Sequence, residues 1–83
     1  MKIEVLGPGC TNCRKLEQDV NNALAELKIE AEVVKVTDLN KISSFGVLMT
    51  PGLVINSKVC SSGKLPVMAT LKRWIEEEYK KTS

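Results

Sequence analysis

The sequence predicts an α/β fold in three layers, a four-stranded mixed sheet with helices on both faces in the order β-α-β-α-β-β-α. Three observations predict it. Two short runs rich in β-branched residues flank a long stretch of helical periodicity. Two more apolar runs face each other across a two-residue turn, and an amphipathic stretch follows them.

Lys2 to Leu6 reads as the first strand, with apolar Ile3, Val5 and Leu6, and Gly7-Pro8-Gly9 breaks it. From Thr11 to Leu27 the apolar positions are Leu16, Val20, Leu24 and Leu27, and their spacings of 4, 4 and 3 trace one helical face. Cys13 stands three residues before Leu16 and falls on that buried face, whereas Cys10 precedes the helix body. Glu32 to Val36 is β-branched and reads as the second strand. Asp38 is placed to cap a short helix carrying Leu39, Ile42 and Phe45, with Gly46 as its stop. Leu53-Val54-Ile55 and Lys58-Val59-Cys60 flank Asn56-Ser57 as a tight hairpin, although Asn-Gly would be the stronger turn signal. Gly63 ends the hairpin. Pro66 suits the first turn of a final helix, with Val67, Leu71, Trp74, Ile75 and Tyr79 as its apolar stripe. The first β-α-β unit is expected to cross over right-handed and give a parallel pair. The hairpin then adds two strands, the first antiparallel to strand one. Residues 1–83 are expected to form a single domain.

The chain is 43% hydrophobic and 27% charged, the balance of a globular protein rather than a disordered one. Its 12 basic and 10 acidic residues are interspersed, and no basic stripe with interleaved aromatics marks a nucleic-acid surface. Glu76 to Glu78 and Lys80-Lys81 read as a solvated helix face and its last turn. No apolar segment reaches the roughly 18–20 residues needed to span a membrane. No signal-peptide pattern is present, so the expected location is the cytoplasm.

Three cysteines make an odd number, unlike the even set of a disulfide-stapled secreted domain. Two of them have C-x-x-C spacing, which in a reducing compartment means redox chemistry or metal. The sequence contains no histidine, which removes Cys–His nucleophile pairs and mixed Cys/His zinc sites.

A dithiol redox site needs two sulfurs close enough to bond, one of them a thiolate near neutral pH. Two intervening residues at a helix start meet the first need. The helix N-terminus meets the second, because its unpaired N–H groups and a partial charge of roughly +0.5 favour an anion. Thiolates so placed fall from about 8.5 into the range of roughly 3.5–7.5. Arg14 and Lys15 add positive charge nearby. Cys10, ahead of the helix body, is expected to be exposed and to attack. Cys13, one turn in on the buried side, is expected to resolve the mixed disulfide. Thr50-Pro51 is the second signal, since a proline there marks a strand start or a turn. Cys60 is expected to be a small packing residue, with glutathionylation or a dimerising disulfide as alternatives.

Strand, Cys10-Thr11-Asn12-Cys13, helix, then Thr50-Pro51 before a hairpin, Gly63 and a terminal helix resembles the thioredoxin superfamily. Within it the chain resembles the small, glutaredoxin-sized thioredoxin-like proteins of archaea and anaerobic bacteria, over nearly its whole length. The resemblance implies a thiol–disulfide oxidoreductase whose redox group is the Cys10–Cys13 pair itself, with no further cofactor and no metal. It implies a cis Pro51 packed against the cysteines, backbone around Thr50 that pairs with an extended substrate segment, and Met49 bordering the site. Protein disulfides are the implied substrates and a thioredoxin-reductase-like or other electron donor the implied partner, with the protein acting as a monomer. Gly9 stands where classical thioredoxins carry Trp, and Thr11-Asn12 where they carry Gly-Pro, so these three line the site and the potential is not transferable. Glu4 stands six residues before Cys10, where thioredoxins hold a buried acid used in proton transfer; an exposed strand glutamate is the other reading. Ser61-Ser62-Gly63-Lys64 lacks the acid with which glutaredoxins help to hold glutathione.

Two other readings compete. The run from Gly7 to Leu24 is similar to the start of a copper-chaperone domain, and thiolates suit Cu(I), so a soft-metal carrier is the main alternative. That family ends in a strand, however, and this sequence has a long final helix. The third reading is a redox-inert binding module on the same fold.

Overall fold

The computed structural model describes residues 1–82. Its elements are β1 (Lys2–Leu6), α1 (Thr11–Leu27), β2 (Glu32–Val36), α2 (Leu39–Ser44), β3 (Gly52–Ile55), β4 (Lys58–Ser62) and α3 (Met68–Thr82). The four strands form one mixed sheet in the order β2-β1-β3-β4. β1 pairs parallel with β2, Ile3 opposite Val33 and Val5 opposite Lys35. It pairs antiparallel with β3, which pairs antiparallel with β4. The order of elements and this pairing match the sequence-based expectation.

The sheet is covered on both faces because its central strands alternate two apolar sets. Ile3 and Val5 of β1, with Leu53 and Ile55 of β3, meet Leu16, Val20 and Ala23 of α1 and Leu71 and Ile75 of α3. Leu6, Val36 and Val54 point the other way, onto Ile42 of α2 and Val47. The larger core therefore lies under α1, and it anchors the helix whose N-terminus carries the cysteines. Fully burying a side chain such as Leu16 contributes about 1.5–3 kcal/mol.

The β3–β4 turn has φ of 50° at Asn56 and 68° at Ser57, both left-handed. That is the mirror-image turn whose twist suits a two-residue hairpin. Asn56 makes up for the missing glycine by bonding outside the hairpin. Its Oδ1 accepts the Lys2 N–H at 3.1 Å, and its own N–H donates to the Lys2 carbonyl at 2.9 Å. β4 runs two residues beyond the expected Cys60, and its pairing with β3 shifts register between Leu53 and Val54.

The final helix differs from expectation. It starts at Met68, and the Leu71 N–H donates to the Val67 carbonyl at 3.0 Å, so Val67 caps it and Pro66 lies ahead of its first turn. Val67 is 67% exposed and Tyr79 43%; Leu71, Ile75 and Glu78 are buried, and Trp74 packs partly buried against the larger core. The reason is geometric. Leu71 and Ile75 point into the core shared by the sheet and α1, whereas Tyr79 reaches its margin, beside Leu27 and Ile29. Glu78 keeps its charge compensated by Lys81, 3.1 Å away.

Candidate active site

β1 delivers the chain to the site, and the Gly7 N–H extends its ladder by donating to the Val36 carbonyl at 2.8 Å. Gly7 is buried beneath the cysteines. A Cβ there would overlap the Cys13 sulfur and would lie 3.7 Å from the Thr50 Cβ. Only a glycine lets Cys13 and Thr50 converge on this point of the backbone.

Cys10 is the N-cap of α1, with extended backbone at φ −68° and ψ 167°. Its Sγ accepts the Cys13 N–H at 3.2 Å, and its carbonyl accepts the Arg14 N–H at 3.0 Å. Sulfur therefore fills the capping role that a serine or aspartate oxygen commonly takes. Cys10 and Cys13 are joined by a disulfide, with Cα atoms 5.0 Å apart. Cys10 is exposed, whereas Cys13 is 5% exposed on the face that also carries Leu16 and Val20. Thr11 and Asn12, the residues between them, are exposed, as is Gly9.

The local field favours an anion at the cap. The first turn of α1 holds no acidic residue, and the Arg14 Nε donates to the Gly9 carbonyl at 3.3 Å, which keeps a guanidinium beside the cysteine loop. Lys15, expected to add its charge, instead pairs with Asp19 at 2.9 Å, one turn along the helix.

The second loop of the site holds Met49, Thr50 and Pro51. The Thr50–Pro51 peptide bond is cis and Pro51 is buried. The Pro51 carbonyl accepts the Gly63 N–H at 2.8 Å, and the Met49 carbonyl accepts the Ser62 hydroxyl at 3.4 Å, so the end of β4 fixes this loop. Gly63 has φ +73°, and a Cβ there would come within 2.9 Å of the Met49 Cβ. Met49 itself is 65% exposed, and Leu48 beside it is 90% exposed. Sequence reading did not single out Leu48, because a leucine in an apolar run carries no local sign of being on the outside.

A cleft of about 280 Å³ opens between β1, β2 and the first turns of α1. Val5, Gly7 and Cys13 line it together with Arg14, Glu17 and Lys35. The Glu17 carboxylate and the Lys35 ammonium are 3.4 Å apart. Glu4, the other acid considered from sequence, is half-buried and borders a different cleft with Lys2, Lys41 and Phe45. Neither cysteine is among the residues lining that second cleft.

Cys60 is remote from the pair. It is half-buried against the larger core, and its Sγ lies 3.6 Å from the Lys58 carbonyl. Burial pushes its thiol above the usual value, with Lys58 opposing and Glu78 reinforcing the shift. Its side chain packs against the margin of the larger core, as expected for a small packing residue.

Comparison with known proteins agrees with this geometry. A family model described as a thioredoxin domain matches residues 1–76. A thioredoxin of Methanocaldococcus jannaschii is 39% identical over 70 residues, covering 84% of this chain and 80% of its own length. A thioredoxin of Methanothermobacter thermautotrophicus is 33% identical over 73 residues, covering 88% of this chain and 95% of its own. Among the described residues no three His, Cys, Asp or Glu side chains gather into a metal-binding group.

Proposed function

Since this chain belongs to the thioredoxin family and is a thiol–disulfide oxidoreductase, we propose that Cys10 is its attacking thiol and Cys13 its resolving thiol. One observation carries the assignment: the two sulfurs differ in exposure, Cys10 open at the helix cap and Cys13 buried one turn in. In the reduced protein the Cys10 thiolate, stabilised by the helix N-terminus, attacks a substrate disulfide and expels one substrate thiolate. The Cys13 thiolate then attacks the Cys10 sulfur. The Cys10–Cys13 bond forms, the second substrate thiolate leaves, and two electrons have passed to the substrate. The redox group is the disulfide itself, and no separate cofactor takes part.

Family membership implies protein disulfides as substrates and a reductase as electron donor. We further assign the substrate groove to Met49, Thr50 and Pro51, with Gly9, Thr11 and Asn12 forming its other edge. The convergence of Thr50 and Cys13 on Gly7 supports this, because it brings the loop that carries Thr50 close to the buried sulfur. The exposed Leu48 and Met49 give an incoming segment apolar surface, and the protein is proposed to act as a monomer with that surface open. A thioredoxin-reductase-like donor would engage the same groove. The whole chain is proposed to act as one domain, since both cores share a single sheet. Its proposed setting is the reducing cytoplasm, where a solitary half-buried Cys60 thiol stays reduced. Among the described residues no helix is long and apolar enough to cross a membrane.

Trapping tests the roles. Incubated with a disulfide-bonded test protein and read on non-reducing gels, Cys13→Ser is expected to stop as a covalent adduct through Cys10, and Cys10→Ser to capture nothing. Equal trapping by both variants would show the roles to be wrong. No trapping by either, with tight stoichiometric Cu(I) binding, would return the metal carrier.

A further inference from the structure

Three cysteines and three methionines carry the sulfur of this protein, and the fold exposes them unequally. In the disulfide state Cys10 and Cys13 are bonded to each other. Cys60 is half-buried, and it packs with Met1 and Met68 against the larger core. Met49 alone presents a reduced sulfur from a largely open position, at 65% exposure. A thioether carries no proton to lose, so access governs its oxidation.

We infer that Met49 is a site of reversible oxidation by hydroperoxides, and that its sulfoxide weakens capture of protein disulfides. Met49 stands two residues before Pro51, in the loop whose carbonyls accept from Ser62 and Gly63. Its side chain crosses Gly63: a Cβ there would lie 3.5 Å from both the Met49 sulfur and its terminal methyl group. The sulfur is thus held at the loop surface, beside the exposed Leu48, and belongs to neither core. The inference rests on the proposed groove, where Leu48 and Met49 offer an incoming segment apolar surface. A thioether loses little when such a segment covers it. A sulfoxide oxygen holds water, and the Gly63 N–H beneath the side chain is already given to the Pro51 carbonyl. Covering that oxygen strips its water and returns no hydrogen bond from this amide.

In the oxidation, one oxygen of a hydroperoxide bonds to the Met49 sulfur as the O–O bond breaks. The sulfur is oxidised by two electrons and the peroxide takes them. The second oxygen departs as water or an alcohol, carrying the proton of the first. Sulfoxide reductases return the thioether at the expense of thiols, so the change is reversible. Oxidising conditions also drive Cys10 and Cys13 into their disulfide. A peroxide arriving then meets the open Met49 thioether in place of a Cys10 thiolate, and the mark outlasts the next reduction of the disulfide.

The disulfide form is incubated with hydrogen peroxide, cleared with catalase and mapped by peptide mass spectrometry. Met49 is expected to gain about 16 Da before Met1 or Met68 does. Dithiothreitol then reduces the cysteines but leaves the sulfoxide. The treated protein should turn over a disulfide-bonded test protein with kcat/KM about tenfold lower than mock-treated protein, since a polar group now blocks apolar contact. A small disulfide reagent, which needs no groove, should be reduced at the mock-treated rate. Sulfoxide reductases should restore the loss. Met49→Leu, compared with its own mock-treated rate, should lose nothing to peroxide. Oxidation of Met1 or Met68 ahead of Met49 would overturn the inference and leave the groove standing. Complete Met49 oxidation with unchanged turnover of the test protein would overturn the inference and remove Met49 from the groove. An equal loss on the small disulfide, or one that persists in Met49→Leu, would place the damage on the cysteines and overturn the inference alone.

Discussion

The Cys13 amide donates to the Cys10 sulfur at 3.2 Å, so one cysteine of the pair caps the helix on which the other is buried. That single bond makes the two sulfurs unequal. A thiolate at Cys10 keeps this donor and gains the helix field, whereas a thiolate at Cys13 must form on the buried side of α1 that also carries Leu16 and Val20.

The first prediction concerns reactivity. Limiting alkylation of the reduced protein at mildly acidic pH should label Cys10 before Cys13 or Cys60. Cys60 is disfavoured because burial raises its thiol, which leaves little thiolate below the alkaline range. Peptide mapping of the first label checks this, and early labelling of Cys60 would refute it.

The second follows from the same shift by linkage. The folded protein holds the Cys60 thiol neutral more firmly than the unfolded chain does. Its contribution is therefore complete below the unfolded thiol value of about 8.5 and is lost as pH rises through the folded value. Denaturant unfolding across the alkaline range should show this decline. Cys60→Ala should flatten it, since the titrating group is gone.

The third prediction tests the contact beneath the disulfide. Gly7→Ala would place a methyl group against the Cys13 sulfur and within 3.1 Å of its Cβ, with the Val36 hydrogen bond holding the backbone in place. Overpacking of this kind costs about 1–3 kcal/mol. Urea unfolding should register the loss, and turnover of a model disulfide should fall with it because Cys13 is displaced.

The fourth runs in the opposite direction. Ser57 sits at φ 68°, where an L side chain is disfavoured by about 1–2 kcal/mol. Ser57→Gly should raise stability by about 1 kcal/mol, the part of that cost not offset by the greater freedom of glycine in the unfolded chain. The turn lies at the opposite end of β3 from Gly52 and the Pro51 loop, so redox activity should not change. A rise in the urea midpoint with unchanged turnover checks it.

The order of elements, and the bounds of β1, α1 and β2, were legible in the sequence because each depends on neighbours within a few positions. Apolar spacings of 4, 4 and 3 in α1, the Gly7-Pro8-Gly9 break and the β-branched run of β2 are local signals. The unequal exposure of Cys10 and Cys13 was legible for the same reason, since helix period alone places one at the cap and the other beside Leu16. The start of α3 was not, because a proline permits a first turn without requiring one, and the path from β4 to the core decided where the helix begins. Nor did anything near Leu48 or Met49 in the sequence mark them as exposed; that follows from the loop being held outward by Ser62 and Gly63. Glu17 and Lys35 are 18 positions apart, with ordinary charged neighbours. They share a cleft with Cys13 only because β2 pairs with β1 in the register that sets Lys35 beside Val5, and because α1 packs across that same edge of the sheet. Helix and strand periods are written residue by residue, but register and packing are set by the cores as a whole, and those decided which charged side chains line the cleft with Cys13.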